Sequence, residues 1–380
     1  MENDQRIVDE KYMQRCIQLA ANGIQGARPN PMVGAVIVVK GRIIGEGYHV
    51  RCGEGHAEVN AFASVLPEDE VLLKDATIYV SLEPCSHFGK TPPCADLIIK
   101  KGVKRVVVGT IDPFTEVQGR GIKKLREAGI EVVVGVLEKE CQWLNRRFFT
   151  FHREHRPYII LKWAQTANGF IDDNGRALLI SNDQTQMLSH QLRAEEDAIL
   201  VGHTTDIRER PQLTVRHWHG PNPQRIVLTH HRPLSQLMDD LYQHGIQSLI
   251  VEGGRQTHDS FIEAGLWDEI RVETAPITVN GGTHAPQLPA GATIYNKVEC
   301  GDNTLCYYRR SRPYFLPKSA GTSPHFLVSH LMMGLRHWWV CSQFSARTMI
   351  WKSCSVSGVR SSLVLHLRLF TQRMALYESL

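Results

Sequence analysis

No apolar run in these 380 residues is long enough to span a bilayer; the stretch 33–39 is among the longest and is far too short. The opening residues Met1-Glu2-Asn3-Asp4 are acidic and lack the apolar centre of a secretory signal. A cytoplasmic protein without membrane contact is therefore expected. The nine cysteines form no regular framework, and a reducing compartment keeps thiols free, so those that matter should be metal ligands or nucleophiles. Acidic residues are almost absent beyond 310. The segment 311–380 holds eight Lys or Arg and one acid, Glu378, which leaves residues 1–310 with 35 basic against 38 acidic side chains. The overall charge of +4 thus belongs to the tail, and the body is not expected to bind nucleic acid through bulk charge. Apolar residues at 42% and charged residues at 22% exclude wholesale disorder.

The length suits two α/β units, each with its own core. Apolar periodicity predicts a helix over 9–22, strands at 33–39 and 42–46, a helix from His56 to about Val65, a strand at 77–82, a helix at 94–100, a strand at 105–109, and a helix–strand pair at 119–128 and 130–134. A charged segment at 148–157 breaks the alternation, and a boundary is placed near residue 150. Strands at 158–163, 198–202, 225–228 and 248–251 then alternate with helices at 183–195 and 236–244. Alternation of this kind predicts layered α/β architecture with much parallel pairing. In the tail 311–380 Leu363, Leu365, Leu367 and Leu369 alternate, but nothing upstream offers a partner strand, and the three tryptophans follow no periodic pattern. The tail reads either as a nucleic-acid or membrane tail or, the reading adopted, as a poorly ordered segment without a role of its own.

The most informative chemistry is His56-Ala57-Glu58 followed by Pro84-Cys85 and Cys94. One imidazole and two thiolates make a three-ligand zinc site whose fourth position stays open to water, as in catalytic rather than structural zinc. Zinc lowers the pKa of bound water to ~7. Glu58, two residues from a ligand, is placed to carry protons without ligating. His-x-Glu followed by Pro-Cys and a second Cys is the signature of zinc nucleobase deaminases, although here the cysteines stand nine positions apart. His56 and Cys94 are expected at helix starts, with Cys85 near another, where helix dipoles favour thiolates. Cys52 and His87 are weaker ligand candidates.

Four segments, Pro29-Asn30-Pro31-Met32-Val33-Gly34, Gly45-Glu46-Gly47-Tyr48-His49, Gly55-His56-Ala57-Glu58 and Ser81-Leu82-Glu83-Pro84-Cys85-Ser86-His87, with the loop ending Thr91-Pro92-Pro93-Cys94, resemble the bifunctional riboflavin-biosynthesis deaminase–reductases. The resemblance covers residues 1–150 closely. It implies a cytidine-deaminase-like domain that removes an amino group from 2,5-diamino-6-(5-phosphoribosylamino)pyrimidin-4-one. His56, Cys85 and Cys94 would bind Zn2+, Glu58 would shuttle protons, and Asn30 and His49 would lie near the pyrimidine. Asn30, between two prolines, reads equally as a turn residue.

In the second half, a strand running into Glu252-Gly253-Gly254 and a helix could admit a phosphate or could be a tight turn. Leu161-Lys162-Trp163-Ala164, Gln191-Leu192-Arg193, Pro211-Gln212-Leu213-Thr214-Val215-Arg216 and Val251-Glu252-Gly253-Gly254 resemble the same family's reductase. The resemblance implies a dihydrofolate-reductase-like domain over 151–310 that uses NADPH to convert the ribosyl group to a ribityl chain. Arg193 and Arg216 would grip the substrate phosphate, and Leu213 and Glu252 would lie along the substrate. Ala164, Leu179, Thr205, Glu209, Gly253 and Gly254 would line the cofactor, and a homo-oligomer is implied. This half departs from the pattern: Glu209-Arg210-Pro211 stands for Asp-x-Pro, Asn168-Gly169 for Asp-Gly, and Ala177-Leu178-Leu179 for a polar-then-Trp segment. The stretch 225–252 is also short enough to lack a strand. A deaminase whose second half no longer turns over is the alternative reading.

Overall fold

The computed structural model describes residues 2–87, 92–114, 118–229 and 231–310. The expectations for the tail, and for the cysteine loop at 88–91, lie outside them. The first half runs α1 (Glu2–Ala21), β1 (Gly34–Val39), β2 (Arg42–Tyr48), α2 (Ala57–Ala63), β3 (Thr77–Leu82), α3 (Cys94–Lys101), β4 (Arg105–Thr110), α4 (Arg120–Glu127) and β5 (Glu131–Val134). Its sheet has the order β2-β1-β3-β4-β5. β1 is antiparallel to β2 and β3, whereas β3, β4 and β5 are parallel.

Every residue of β1 is buried because both faces of the sheet are covered. Ala35, Ile37 and Val39 join Ala61, Ile98 and Leu125 from α2, α3 and α4. Val36 and Val38, pointing the other way, join Met13, Cys16 and Cys141. Each large side chain buried in this manner contributes about 1.5–3 kcal/mol. A Cβ on Gly47 would meet Ala61 N at 2.3 Å, so glycine at this place in β2 lets α2 close on the sheet. That contact sets the position of His56, the N-cap of α2. α1 begins seven residues earlier than the apolar pattern predicts. Gln5 and Arg6 bond Asp9 and Glu10 one turn on, and such polar pairs extend a helix without apolar periodicity.

α5 (Glu138–Leu144) and α6 (Arg146–Glu154) occupy the stretch where the alternation breaks. Then come β6 (Tyr158–Thr166), α7 (Asp183–Glu195), β7 (Ala198–Gly202), α8 (His203–Glu209), β8 (Gln224–Leu228), α9 (Leu234–Gln243), β9 (Ser248–Glu252), α10 (Arg255–Glu263), β10 (Glu269–Ala275), β11 (Ala292–Cys300) and β12 (Asn303–Arg310). The second sheet has the order β11-β12-β10-β6-β9-β7-β8. β10, β6, β9, β7 and β8 run parallel, and β12 and β11 close one edge antiparallel. The stretch 225–252 holds β8, α9 and β9, and β8 forms the other edge among the described residues. Both sheets lie within one compact unit, Met1–Arg312.

Candidate functional site

Three chain ends converge beyond the carboxyl end of β3, where open α/β sheets place their ligands. His56 caps α2, Cys85 lies three residues past β3, and Cys94 opens α3. The ligand atoms of the three lie within 4.8 Å of one another. His56 Nδ1 stands 3.3 Å from Cys94 Sγ and 3.5 Å from Cys85 Sγ. Ligands on a tetrahedral zinc are about 3.5–3.8 Å apart, so the donor set and its spacing fit that ion. Cys85 sits in a loop rather than at a helix start of its own. It uses the start of α3 instead: the Cys94 N–H donates to Cys85 Sγ at 3.3 Å. Cys52 and His87 are not part of this group.

Hydrogen bonds from Cys94 and then His56 hold the Cys85 thiol down at about 4. The Cys94 thiol is pushed up, chiefly by sharing a proton with Cys85 and by burial. That pair is one thiolate and one thiol competing for a single proton, which a divalent cation would displace. Glu58 is 3% exposed, and its carboxyl touches the Cys94 sulfur. Burial, then the charge of Cys85, pushes it up to about 7. A carboxyl poised near neutrality both accepts and returns protons.

His49 is buried at the same place, its ring edge-on to His56 with centroids 5.3 Å apart. Burial, then His56, lowers its pKa, leaving the ring neutral. The Asn30 side-chain amide donates to His49 Nε2 at 3.1 Å, and His49 Nδ1 donates to the Gly55 carbonyl at 3.1 Å. Asn30 is also a turn residue, since its N–H bonds the Ala27 carbonyl at 2.9 Å.

Two acids here escaped sequence reasoning. Glu83 accepts from the backbone N–H groups of Asp112, Gly119, Gly121 and Ile122 at 2.9–3.3 Å, which fixes the loop beside Pro84 and Cys85. Burial, then Glu83 and Cys85, pushes the Asp112 carboxyl up to about 6. Glu beside Pro-Cys and Asp before Pro113 were the available signals.

The second half holds an open cavity of about 1130 Å³ at the carboxyl ends of β6, β7 and β9. Ala164, Leu179, Thr205, Glu209, Leu213, Glu252, Gly253 and Gly254 all line it. Leu179 is 80% exposed and Glu209 ends α8 at the surface. Leu213 is buried with φ +54, an uncommon conformation for a leucine and one typical of ligand-holding segments. Gly253 has φ +155, which only glycine adopts readily, and it leads into the N-terminus of α10. A cavity of this volume, with a glycine turn at a helix start, fits a dinucleotide beside a nucleotide-sized substrate.

Arg193 and Arg216 stand outside the cavity lining. Both reach Thr214: Arg193 Nη1 bonds its carbonyl at 3.4 Å and Arg216 Nη1 its hydroxyl at 3.1 Å. Arg193 Nη2 also donates to Glu252 Oε2 at 2.8 Å. Lys162 Nζ lies 3.7 Å from the other carboxylate oxygen. Glu252 Oε1 and Arg193 Nε are buried without a hydrogen-bond partner among the described residues, which suits a bound polar group. Lys162 is a further polar residue of this cavity that the sequence does not single out. Its signal was a lone charge inside the apolar run of β6.

Comparison with known proteins agrees with both halves. Residues 6–110 match the family profile of the cytidine and deoxycytidylate deaminase zinc-binding region. Residues 157–237 and 233–305 match that of the RibD C-terminal domain. The riboflavin biosynthesis protein RibD of Aquifex aeolicus is 39% identical over 322 residues, covering 73% of this chain and 89% of the relative. Among solved structures, a diaminohydroxyphosphoribosylaminopyrimidine deaminase/5-amino-6-(5-phosphoribosylamino)uracil reductase from Thermotoga maritima superposes with a TM-score of 0.74 at 33% identity, over 80% of this chain and 99% of that one. Acinetobacter baumannii RibD gives 0.72 at 28% identity, with the same coverage. The chain belongs to the RibD family of riboflavin biosynthesis proteins, with a cytidine-deaminase-like first half and a reductase-like second half.

Proposed function

We infer that this chain performs two consecutive steps of riboflavin biosynthesis in a reducing cytosol. The first is hydrolytic deamination of 2,5-diamino-6-(5-phosphoribosylamino)pyrimidin-4-one, and the second is NADPH-dependent reduction of the ribosyl group to a ribityl chain. The observation that carries the reading is the meeting of His56 Nδ1, Cys85 Sγ and Cys94 Sγ beside Glu58, a buried carboxyl outside the ligand trio. His56, Cys85 and Cys94 would hold Zn2+, whose Lewis acidity lowers the pKa of a water. Glu58 takes a proton from the attacking water and gives it to the ring nitrogen. The same carboxyl then moves the adduct's hydroxyl proton to the amine; the C–N bond breaks, ammonia leaves and a carbonyl remains. His49, neutral and tied to Asn30, offers a fixed edge to the pyrimidine.

In the second half NADPH would supply the hydride to the sugar C1′. Gly253, Gly254 and Thr205 offer backbone and hydroxyl groups to its phosphates. Lys162 and Glu252 present a donor and an acceptor to the sugar. Arg193 and Arg216, gathered at Thr214, supply charge for the substrate phosphate.

The test is a two-stage assay on the zinc-loaded full chain. The diaminopyrimidine phosphate should release ammonia. Adding NADPH should then consume the reduced-nicotinamide absorbance. No ammonia would refute the first step; ammonia with steady absorbance would leave a deaminase alone.

A further inference from the structure

One guanidinium from the first half holds the end of a helix in the second. The Arg28 side chain is only 18% exposed. Its Nη1 donates to the Glu195 carbonyl at 3.0 Å and to Asp197 Oδ1 at 2.9 Å, and its Nη2 to the Ala194 carbonyl at 3.2 Å. Those carbonyls close α7, where backbone dipoles favour a cation. The second oxygen of Asp197 accepts the Gln247 N–H at 2.9 Å, and Gln247 Nε2 returns to the Pro29 carbonyl at 2.8 Å. Arg28, Asp197, Gln247 and Pro29 therefore form a closed ring across the two halves. A solvated ion pair holds little; this one has three acceptors on one fork and a return bond.

The ring ends at both sites. Toward the deaminase centre, Asn30 follows directly and donates to His49, which bonds the Gly55 carbonyl next to His56. Toward the cavity, Arg193 precedes Ala194 on α7 and holds Glu252 and Thr214. We propose that Arg28 is a positioning residue for both reactions, fastening the loop that carries Asn30 to the helix end that carries Arg193. This rests on the function inferred above, because the loop and the helix matter jointly only if both sites work.

The experiment measures ammonia release and NADPH oxidation separately on zinc-loaded, full-length Arg28→Met, Arg28→Lys and Asp197→Asn. Arg28→Met should raise KM at both sites by about tenfold with kcat within about twofold, the pattern of lost ground-state positioning. Arg28→Lys should recover part of each. Asp197→Asn lies in the second half and is nearly isosteric. It should nonetheless raise KM for ammonia release, and it carries the test if Arg28→Met does not fold. Lowered melting temperature with both KM values unchanged, or an Asp197→Asn effect confined to reduction, overturns the proposal. Failure of the function itself is distinguishable, since it shows as absent ammonia release in the unsubstituted chain and removes both readings.

Discussion

The two halves bury carboxyl groups to opposite ends. Glu58 lies beside two sulfurs, and burial with the Cys85 charge lifts it to about 7. In the second half Glu269 is also fully buried, but Arg271 and Arg146 outweigh the burial and hold it down at about 2. Glu252, between Lys162 and Arg193, is likewise lowered against its burial. The first environment makes a proton carrier and the second makes fixed negative charges. Burial pushes all three carboxyls up; opposite charges outweigh it at Glu269 and Glu252 and do not at Glu58.

The sharpest break between the halves comes from the metal. Cys85→Ala should abolish zinc retention and ammonia release, while NADPH oxidation with deaminated substrate stays within about twofold, since the lining of the second-half cavity includes none of the trio. Metal analysis beside the two assays checks this. The complementary change, Glu252→Gln, should lower kcat/KM for NADPH oxidation by about 10–100-fold, the worth of a hydrogen bond to charged groups, with ammonia release intact. Equal loss of both activities would erase the distinction between the sites.

Glu269 tests the fixed-charge half of the comparison through stability. Its folded pKa lies below its ordinary 4.5, so the stability it contributes is complete above about 4.5 and is lost as pH falls through about 2. Linkage puts that contribution at about 3 kcal/mol. Acid titration of unfolding free energy should therefore fall over this window in the native chain. Glu269→Gln should flatten that slope, and an unchanged slope would place the charge elsewhere.

Much of the first half could be read from residue types and order. A His, two Cys and a nearby Glu are costly to bury without a shared task, so His56, Glu58, Cys85 and Cys94 stood out before their distances were known. The strand at Thr77–Leu82 was legible as a short apolar run, and the helix at Asp183–Glu195 as the segment between two such strands, although Thr185 and His190 share its buried face with Leu192 and Ala194. The rest hid behind charge pairing at long range. α6 overlaps the charged segment that breaks the alternation, yet Arg147 in it is buried against Glu196, 49 residues away. β10 carries Glu269, Arg271 and Glu273 and shows no apolar run. Its charges are met by Arg146, by one another and by Ser181, Thr185 and Asn303. Local periodicity cannot report partners supplied by distant elements. The Arg28 ring was invisible for the same reason.

The claim on which the rest stands is that Glu58 moves protons beside a metal it does not bind. It is tested by measuring ammonia release and zinc content together for the wild type and Glu58→Gln. Equal zinc in both and a loss of about 10²–10⁴-fold in rate for the variant are expected. Equal zinc with undiminished ammonia release would contradict it.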